Sequence, residues 1–388
     1  MSRERAEMVL SFLREQRDDM VALLVELTGQ ESPTDVPETQ HGVQRRLTEA
    51  LEARGFRVRK IAGERTGGHL FARPSVREKG RPYQLLIGHS DTVWPLGTLS
   101  TMPVIVEDGH VRGPGTFDMK AGLVQGLFAL DALHVLGYEP PATPVWFINS
   151  DEEIGSPESK RWIRLVARNV ARTFVLEPAL GSRGSLKTAR KGVARFTVTV
   201  RGKAAHAGLD PAWGASAIQE LSHVVHRLHD LTDPERGTTV NVGVVRGGTR
   251  PNVVAAEAVA QVDVRVLTVQ DGDAVERAMR SLRPRTEGTT LHIRGGLEAP
   301  PLERTPRNRA LWNEALAAAE RLGIELDEST VGGGSDGNTT SQFTATLDGL
   351  GPIGDGAHAP HEAVVVESMV ERAALLAELL MAPVRDID

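Results

Sequence analysis

The chain has 388 residues, 40% of them hydrophobic and 25% charged, with 39 glycines and a formal charge of −6 at pH 7. That length and composition suit a folded protein large enough for two domains and exclude a disordered tail or a fibre. The 45 basic and 51 acidic residues are mixed along the chain, which argues against nucleic acid and anionic membrane as partners and leaves a small or peptide-like ligand.

At the N-terminus, MSRERAEMVLSFLREQRDDMVALLVELTGQESPT sets apolar residues at helical spacing among many charges. This predicts one or two amphipathic helices rather than the continuous apolar core of a signal peptide. No apolar run approaches the roughly 20 residues needed to span a bilayer, so a cytoplasmic location is the expectation. Strand and helix signals then alternate through GFRVRKIAG, HLFARP, YQLLIGH, a helix from about Lys120 to Leu136, TPVWFINS and ARTFVLEP. Such alternation predicts a parallel or mixed sheet covered by helices on both faces. In the 120–136 helix, Leu123, Leu127, Leu130 and Leu133 form one stripe, and Gly137 supplies a stop.

Near residue 190 the texture changes. VARFTVTVRG alternates with period two, WGASAIQELSHVVHRLHDL is helical, TTVNVGVV and EAVAQVDVRVL alternate again, GDAVERAMRSL is helical and TLHIRGG closes the set. This β-α-β-β-α-β order is the split ferredoxin-like pattern. The expectation is an α/β chain with an inserted α+β domain at 191–300, dividing a first domain into residues 1–190 and 301–388. From Pro306 a helix resumes in RNRALWNEALAAAERLG, followed by the turn VGGGSDGN and a last helix from near Val366.

Several apolar runs stop at residues that compete for metals. LLIGHSDTVWP ends Leu85, Leu86 and Ile87 in Gly88, His89, Ser90 and Asp91, as a buried parallel strand does when it delivers side chains at its carboxyl end. GPGTFDMKAG does the same at Asp118, FINSDEEIGS at Glu152 and Glu153, FVLEP at Glu177, and GDGAHAPHE at His358 and His361. Singly, each has a plain structural explanation: a loop histidine, a helix cap at Asp118, a solvated turn at 151–153, a strand-end charge at Glu177. With no cysteine in the chain, thiolate ligation and disulfides are excluded, and any metal must rest on His, Asp and Glu.

Taken in order, GHSDTV, GPGTFDMKAG, SDEEIGS, LEP, GKAAHAG, NVGVVRGGTRPNVV, VDVR, GGGSDGN and GAHAPHE resemble the di-zinc metallopeptidases that include glutamate carboxypeptidase, the aminoacylases and the acetylornithine and succinyl-diaminopimelate deacylases. The resemblance runs along essentially the whole chain. It implies a mixed-sheet zinc-peptidase catalytic domain with a ferredoxin-like dimerisation or lid insert, and two Zn²⁺ per chain. By the same resemblance Asp118 bridges the metals, His89 and Glu177 complete one, and Glu153 and His358 the other, with His361 the alternative. Asp91 would orient His89, and Glu152 would be the general base. His206 in GKAAHAG would be an oxyanion donor brought by the second subunit of a homodimer, with Asn252 helping.

The residues support this chemistry independently. Three carboxylates and two neutral imidazoles leave a pair of Zn²⁺ with net positive charge, which lowers the pKa of bound water to about 7. Asp91 lies two residues from His89 and can accept its second N–H. Glu152 and Glu153 point apart in extended chain, so one can bind metal while the other handles a proton. Cobalt and manganese accept the same ligands, so affinity order alone does not choose the ion.

The expected reaction is hydrolysis of an amide, releasing a C-terminal amino acid, glutamate first, from a peptide or N-acyl amino acid. Arg265 in VDVR and the turn around Gly333 would hold the substrate carboxylate, Arg265 being equally readable as a salt-bridged strand residue. Arg190, Lys191 and Arg294 are further candidates, because the basic residues that would make glutamate specificity firm are not all matched. A deacylase on the same site is the near alternative. A non-catalytic metal-binding assembly protein is the distant one.

Overall fold

The computed structural model describes residues 3–384. The chain divides into two compact units, one of Met1–Thr188, Arg304–Thr330 and Ser335–Asp388, the other of Ala189–Glu303 and Val331–Gly334. No helix among the described residues is long and apolar enough to cross a membrane.

The first unit opens with helices α1 (Arg3–Glu15), α2 (Arg17–Thr28) and α3 (Gln40–Ala53), the last of which the hydrophobic pattern had not announced. Strands β1 (Phe56–Ile61), β2 (His69–Pro74) and β3 (Tyr83–His89) follow, then a small pair, β4 (Ile105–Glu107) and β5 (His110–Arg112). Next come α4 (Ala121–Val135), β6 (Thr143–Asn149), α5 (Lys160–Ala167), β7 (Arg172–Val175) and β8 (Leu186–Arg190). The second unit contains β9 (Gly192–Arg201), α6 (Ala217–His229), β10 (Thr239–Gly247), β11 (Glu257–Val266), α7 (Val269–Arg280) and β12 (Thr290–Ala299). The chain ends with α8 (Pro306–Leu322), β13 (Glu328–Val331), α9 (Asp336–Thr340), β14 (Ala345–Leu347), β15 (Gly354–Asp355), β16 (Ala363–Val365) and α10 (Val366–Leu380).

The central sheet of the first unit has the order β1-β2-β6-β3-β7-β14. Its left edge is antiparallel, while β6, β3, β7 and β14 run parallel. Strand β3 reads as an unbroken apolar run because both of its faces are covered. Leu86 belongs to the large core with α4 and α10, whereas Leu85 and Ile87 face the smaller cluster with Val145, Phe147 and Ile163.

Helix α4 departs from the single-stripe expectation: twelve of its fifteen residues are buried, because α1, α2 and α10 pack around it as well as the sheet. Its two glycines set that packing. A Cβ on Gly122 would stand 2.0 Å from the Leu176 carbonyl oxygen, and one on Gly126 would stand 2.4 Å from the Trp146 ring.

The second unit is a four-stranded antiparallel sheet ordered β10-β11-β9-β12. Phe196, Val198 and Val200 alternate into its core with Leu221, Val224 and Met279 from the two helices. Helices α6, α7 and α8 each begin where a Ser or Thr side chain accepts a backbone N–H: Ser216 from Gln219, Thr268 from Asp271 and Thr305 from Asn308.

Candidate metal centre

Three parallel strands of the first unit end level with one another. His89 closes β3 opposite Asn149 of β6, and the Leu176 N–H just past β7 donates to the Ile87 carbonyl at 3.0 Å. Their carboxyl ends therefore deliver His89, the 150–153 turn and Glu177 to one place, as open parallel sheets do. Gly88 is required for this crowding, since a Cβ there would meet the Met119 side chain at 2.7 Å and Leu123 at 2.8 Å.

Asp118 sits in the irregular turn Thr116–Lys120 that feeds α4, beside a cis peptide to Met119. It is not the cap of α4, which is Lys120. Its Oδ1 lies 3.2 Å from His89 Nε2 and its Oδ2 3.4 Å from His358 Nε2. One carboxylate thus faces both imidazoles. Glu177 Oε1 stands 3.5 Å from His89 Nε2, and Glu153 Oε2 stands 3.2 Å from His358 Nε2. His89, Glu152 and Glu177 each offer a ligand atom within 4.8 Å of the others, and so do His89, Asp118 and Glu153.

His358 is half-exposed and adopts a left-handed backbone, φ 62°, in the turn after Gly356. Tertiary contacts have to hold such a conformation in a non-glycine residue. His361 instead turns to Asp355, 3.8 Å away, so the structure brings His358 and not His361 to the carboxylates.

Asp91 faces His89, as the sequence expects, and does more besides. The nearest partner of His89 Nδ1 is the backbone carbonyl of Asp91, at 3.0 Å, with the carboxylate oxygen farther at 3.4 Å. The Asp91 carboxylate also accepts the backbone N–H groups of Glu152 and Glu153, at 3.3 and 3.2 Å, and the Thr34 hydroxyl at 2.8 Å. It anchors the turn that presents both glutamates.

Glu362, which the sequence offers only as part of GAHAPHE, does the same for the opposite wall. Fully buried, it accepts from Phe117 N and Asp118 N through Oε1, and from Gly115 N and Trp94 Nε1 through Oε2. Asp336 is a third unforeseen support. It takes hydrogen bonds from Ser156 Oγ at 2.5 Å and Asn149 Nδ2 at 2.7 Å, tying α9 to the far end of the glutamate turn.

The charges are strongly coupled to this geometry. Burial opposes protonation of His89, but hydrogen bonds donated to Asp118, Asp91 and Glu177 raise its pKa well above the ordinary value. Hydrogen bonds to Asp118 and Glu153 push His358 up to about 10. Asp118 is buried, yet the hydrogen bonds it accepts from His358 and His89 hold it well below the usual carboxylate range. Burial, and then the Glu177 charge, push Glu152 well above its ordinary value, and burial also raises Glu153.

Four carboxylates, those of Asp118, Glu152, Glu153 and Glu177, thus crowd a buried pocket, and Glu153 Oε1 is shielded with no hydrogen-bond partner. Uncompensated burial of that much negative charge is costly. A donor set of oxygens and imidazoles with a carboxylate between two histidines fits two divalent cations.

The remaining candidates lie in the second unit. His206 is exposed and its Nδ1 accepts the N–H groups of Gly208 and Leu209, both at 3.1 Å. Exposed Asn252 sits beside it, its carbonyl accepting from Ala207 N. Arg265 is held by Asp263 through Nε at 2.8 Å and Nη2 at 3.1 Å, the salt-bridged arrangement that its strand position allowed. Exposed Gly333 and Gly334 turn carbonyls, not amides, toward Arg190 Nη1 at 3.2 and 3.0 Å. Lys191 continues from Arg190, its N–H bonded to the Val331 carbonyl, and Arg294 lies on β12 opposite Thr197.

Comparison with known proteins adds three kinds of likeness. Residues 188–287 match the model of the peptidase dimerisation domain. The chain is 27% identical to carboxypeptidase G2 of Pseudomonas sp. (strain RS-16), over 98% of this chain and 93% of that one. It is 26% identical to succinyl-diaminopimelate desuccinylase of Dechloromonas aromatica, over 86% and 91% respectively. Among solved structures, aminopeptidase PepT of Bacillus cereus aligns with a TM-score of 0.79 at 23% identity, over 94% and 98% of the two chains. A dinuclear metal-binding peptidase of the M20 family from Bacillus subtilis aligns with a TM-score of 0.69 at 15% identity, over 95% and 98%. These two structures bear on the fold alone.

Proposed function

We propose that this chain, a member of the M20 peptidase family, is a two-metal amide hydrolase that releases a C-terminal amino acid from a peptide or an N-acyl amino acid, with glutamate the first to test. The observation that carries the reading is Asp118, with one oxygen toward His89 and the other toward His358. His89, Asp118 and Glu177 would hold one ion and Asp118, Glu153 and His358 the other, zinc being the ion we assign. When bound, the ions supply Lewis acidity to the scissile carbonyl and bring the pKa of a coordinated water to about 7.

The chain's own residues do the rest. Asp91 fixes the 152–153 turn through two backbone amides, so Glu153 can face His358 while its neighbour Glu152 is left to act on the water. Glu152 takes a proton from the attacking water and passes it to the leaving nitrogen. His206 keeps its proton on Nε2, because Nδ1 is occupied by two backbone donors, and, brought by the second subunit of a homodimer, would donate to the tetrahedral oxyanion, with Asn252 beside it. Arg265 and the turn at Gly333 remain the candidates for the substrate carboxylate. The Asp263 pair fixes the guanidinium plane but makes Arg265 a weaker anion receptor than an unpaired arginine. The match to a dimerisation domain supports a homodimer formed through the second unit.

The test is metal content together with hydrolysis of N-acyl glutamates, N-acetyl amino acids, N-succinyl diamines and short dipeptides, before and after chelation. The reading expects about two zinc per chain and chelator-sensitive cleavage. Glu152→Gln should retain the metals and lose roughly 10²–10⁴ in rate. The similarity to a desuccinylase favours a deacylase as the second reading, and preference for the succinyl diamine would select it. An unchanged rate in Glu152→Gln would refute the mechanism. Metal binding without cleavage of any substrate would favour an assembly protein.

A further inference from the structure

The first unit has a second cavity, on the sheet face that carries α5. It measures about 290 Å³ and is walled by Ile61, Phe71, Val145, Phe147, Trp162 and Val166, from β1, β2, β6 and α5. Tyr83, at the first residue of β3, also lines it. His89 ends the same strand six residues on, about 20 Å from Tyr83 at 3.3 Å per residue. Phe147 lies opposite Ile87, so the cavity runs along the sheet face to about 7 Å short of the strand ends that carry the metal centre.

Its rim is the unusual part. Arg59 and Arg73 border the apolar walls, and both are exposed. The β1/β2 register sets Arg59 opposite Phe71 and Arg57 directly opposite Arg73, so all three guanidinium groups share the cavity's face of the sheet. A fourth, Arg77, lies over the Tyr83 ring, 5.3 Å from its centroid, and donates to the Tyr83 hydroxyl.

Among the described residues Arg57, Arg59 and Arg73 have no carboxylate within ion-pair distance, although the chain as a whole is acidic. Between residues 57 and 81 there are eight Lys and Arg against two Glu, a local excess that the overall mixing conceals. Two like charges facing each other across an antiparallel pair destabilise it. An ordinary surface would pair them or separate them.

An apolar hollow behind uncompensated arginines selects an occupant with the reverse polarity. A neutral apolar molecule would leave the charges unanswered, and a small inorganic anion would leave the hollow unfilled. About 150 Å³ of apolar cavity is enough to hold benzene, so this one has room for a ring or a chain of medium length. Arginine forks match carboxylates in bidentate geometry. The indole N–H of Trp162 is shielded from solvent and has no hydrogen-bond partner, which gives the wall one more donor to offer. We propose that this cavity is a binding site for a small amphipathic carboxylate, its aliphatic or aromatic body among Phe71, Phe147, Trp162 and Val166 and its head group on Arg59 and Arg73.

Calorimetric titration of the metal-loaded full chain with octanoate and 4-phenylbutyrate tests this, with octanol and octylammonium as controls. One saturable octanoate site is expected, at least tenfold tighter than octanol, with no binding of octylammonium. The Arg59→Ser/Arg73→Ser double variant, altered only at exposed strand positions, should lose at least tenfold in octanoate affinity, and Val166→Trp should abolish binding by filling the hollow. Chelated protein should bind octanoate as well as metal-loaded protein does. Equal affinity for octanol and octanoate, an unchanged double variant, absence of saturable binding, or loss of binding on chelation would each overturn the proposal. The last would assign the carboxylate to the metal centre instead.

Discussion

Glu362→Gln isolates how the Asp118 loop is held. The glutamate is fully buried and its two oxygens take four donors: Phe117 N at 2.9 Å, Asp118 N at 3.0 Å, Gly115 N at 2.9 Å and Trp94 Nε1 at 2.7 Å. Glutamine keeps the shape but replaces one oxygen with an amide that can only donate. Whichever way it turns, two of the four donors face another donor. Hydrogen bonds to a charged acceptor contribute about 1.5–3 kcal/mol each, so the loss of two comes to about 3–6 kcal/mol. Local relaxation of the loop reduces this, and about 3 kcal/mol of destabilisation is the expected outcome. Because Asp118 N is one of the four, its carboxylate should shift as well, and residues that support metal ligands typically change metal affinity by about 10–100-fold. Urea unfolding followed by tryptophan fluorescence would read the first effect, and the chelator concentration needed to strip the metals would read the second. A variant within about 0.5 kcal/mol of the parent, with the same chelator midpoint, would refute the role given to Glu362.

Gly122→Ala should destabilise the protein by about 1–3 kcal/mol despite alanine's better helix propensity, because the new Cβ would force α4 away from the Leu176 carbonyl; a raised melting temperature would contradict that packing. Thr305→Ala removes the side chain that accepts Asn308 N at the start of α8 and should cost about 1 kcal/mol, measured by the same unfolding assay. Asp336 is predicted to make stability fall with pH. Burial, with Asp151 adding to it, raises its pKa from 3.8 to about 7, so the folded state holds a proton that the unfolded chain releases. Its contribution is complete below about pH 4 and is lost as pH rises toward 7. Unfolding free energies of the parent and Asp336→Asn measured from pH 4 to 8 should diverge in the variant's favour as pH rises, and parallel curves would show that the carboxyl does not titrate in that range.

Much of the candidate metal centre was legible because each strand ends where its apolar pattern breaks. Leu85, Leu86 and Ile87 demanded cover on both faces, and the polar residues after them could only emerge at the strand's carboxyl end. The insert was legible for the same reason, its alternation and helical periods being local properties of the chain. The supports were not. Glu362 lies 244 residues from the Asp118 amide it receives, and Asp336 lies 187 from Asn149, so no periodicity connects them. Asp91 keeps its carboxylate 3.4 Å from its near neighbour His89, as the sequence expects, but the backbone amides of Glu152 and Glu153 that the same carboxylate accepts come from some sixty residues away and no local pattern announces them.

Helix α4 showed one stripe in sequence and is buried almost all round, since glycines at 122 and 126 mark a close approach only once the strand and indole they touch are known. The arginine rim was likewise hidden, because strand register, and nothing in the order of residues, set Arg57 against Arg73. Sequence by itself determined which side chains each element could offer and where each element would stop, because those depend on neighbours a few residues away. Tertiary structure alone decided which offers meet, because hydrogen bonds and charges act over a few ångströms in space whatever their separation along the chain.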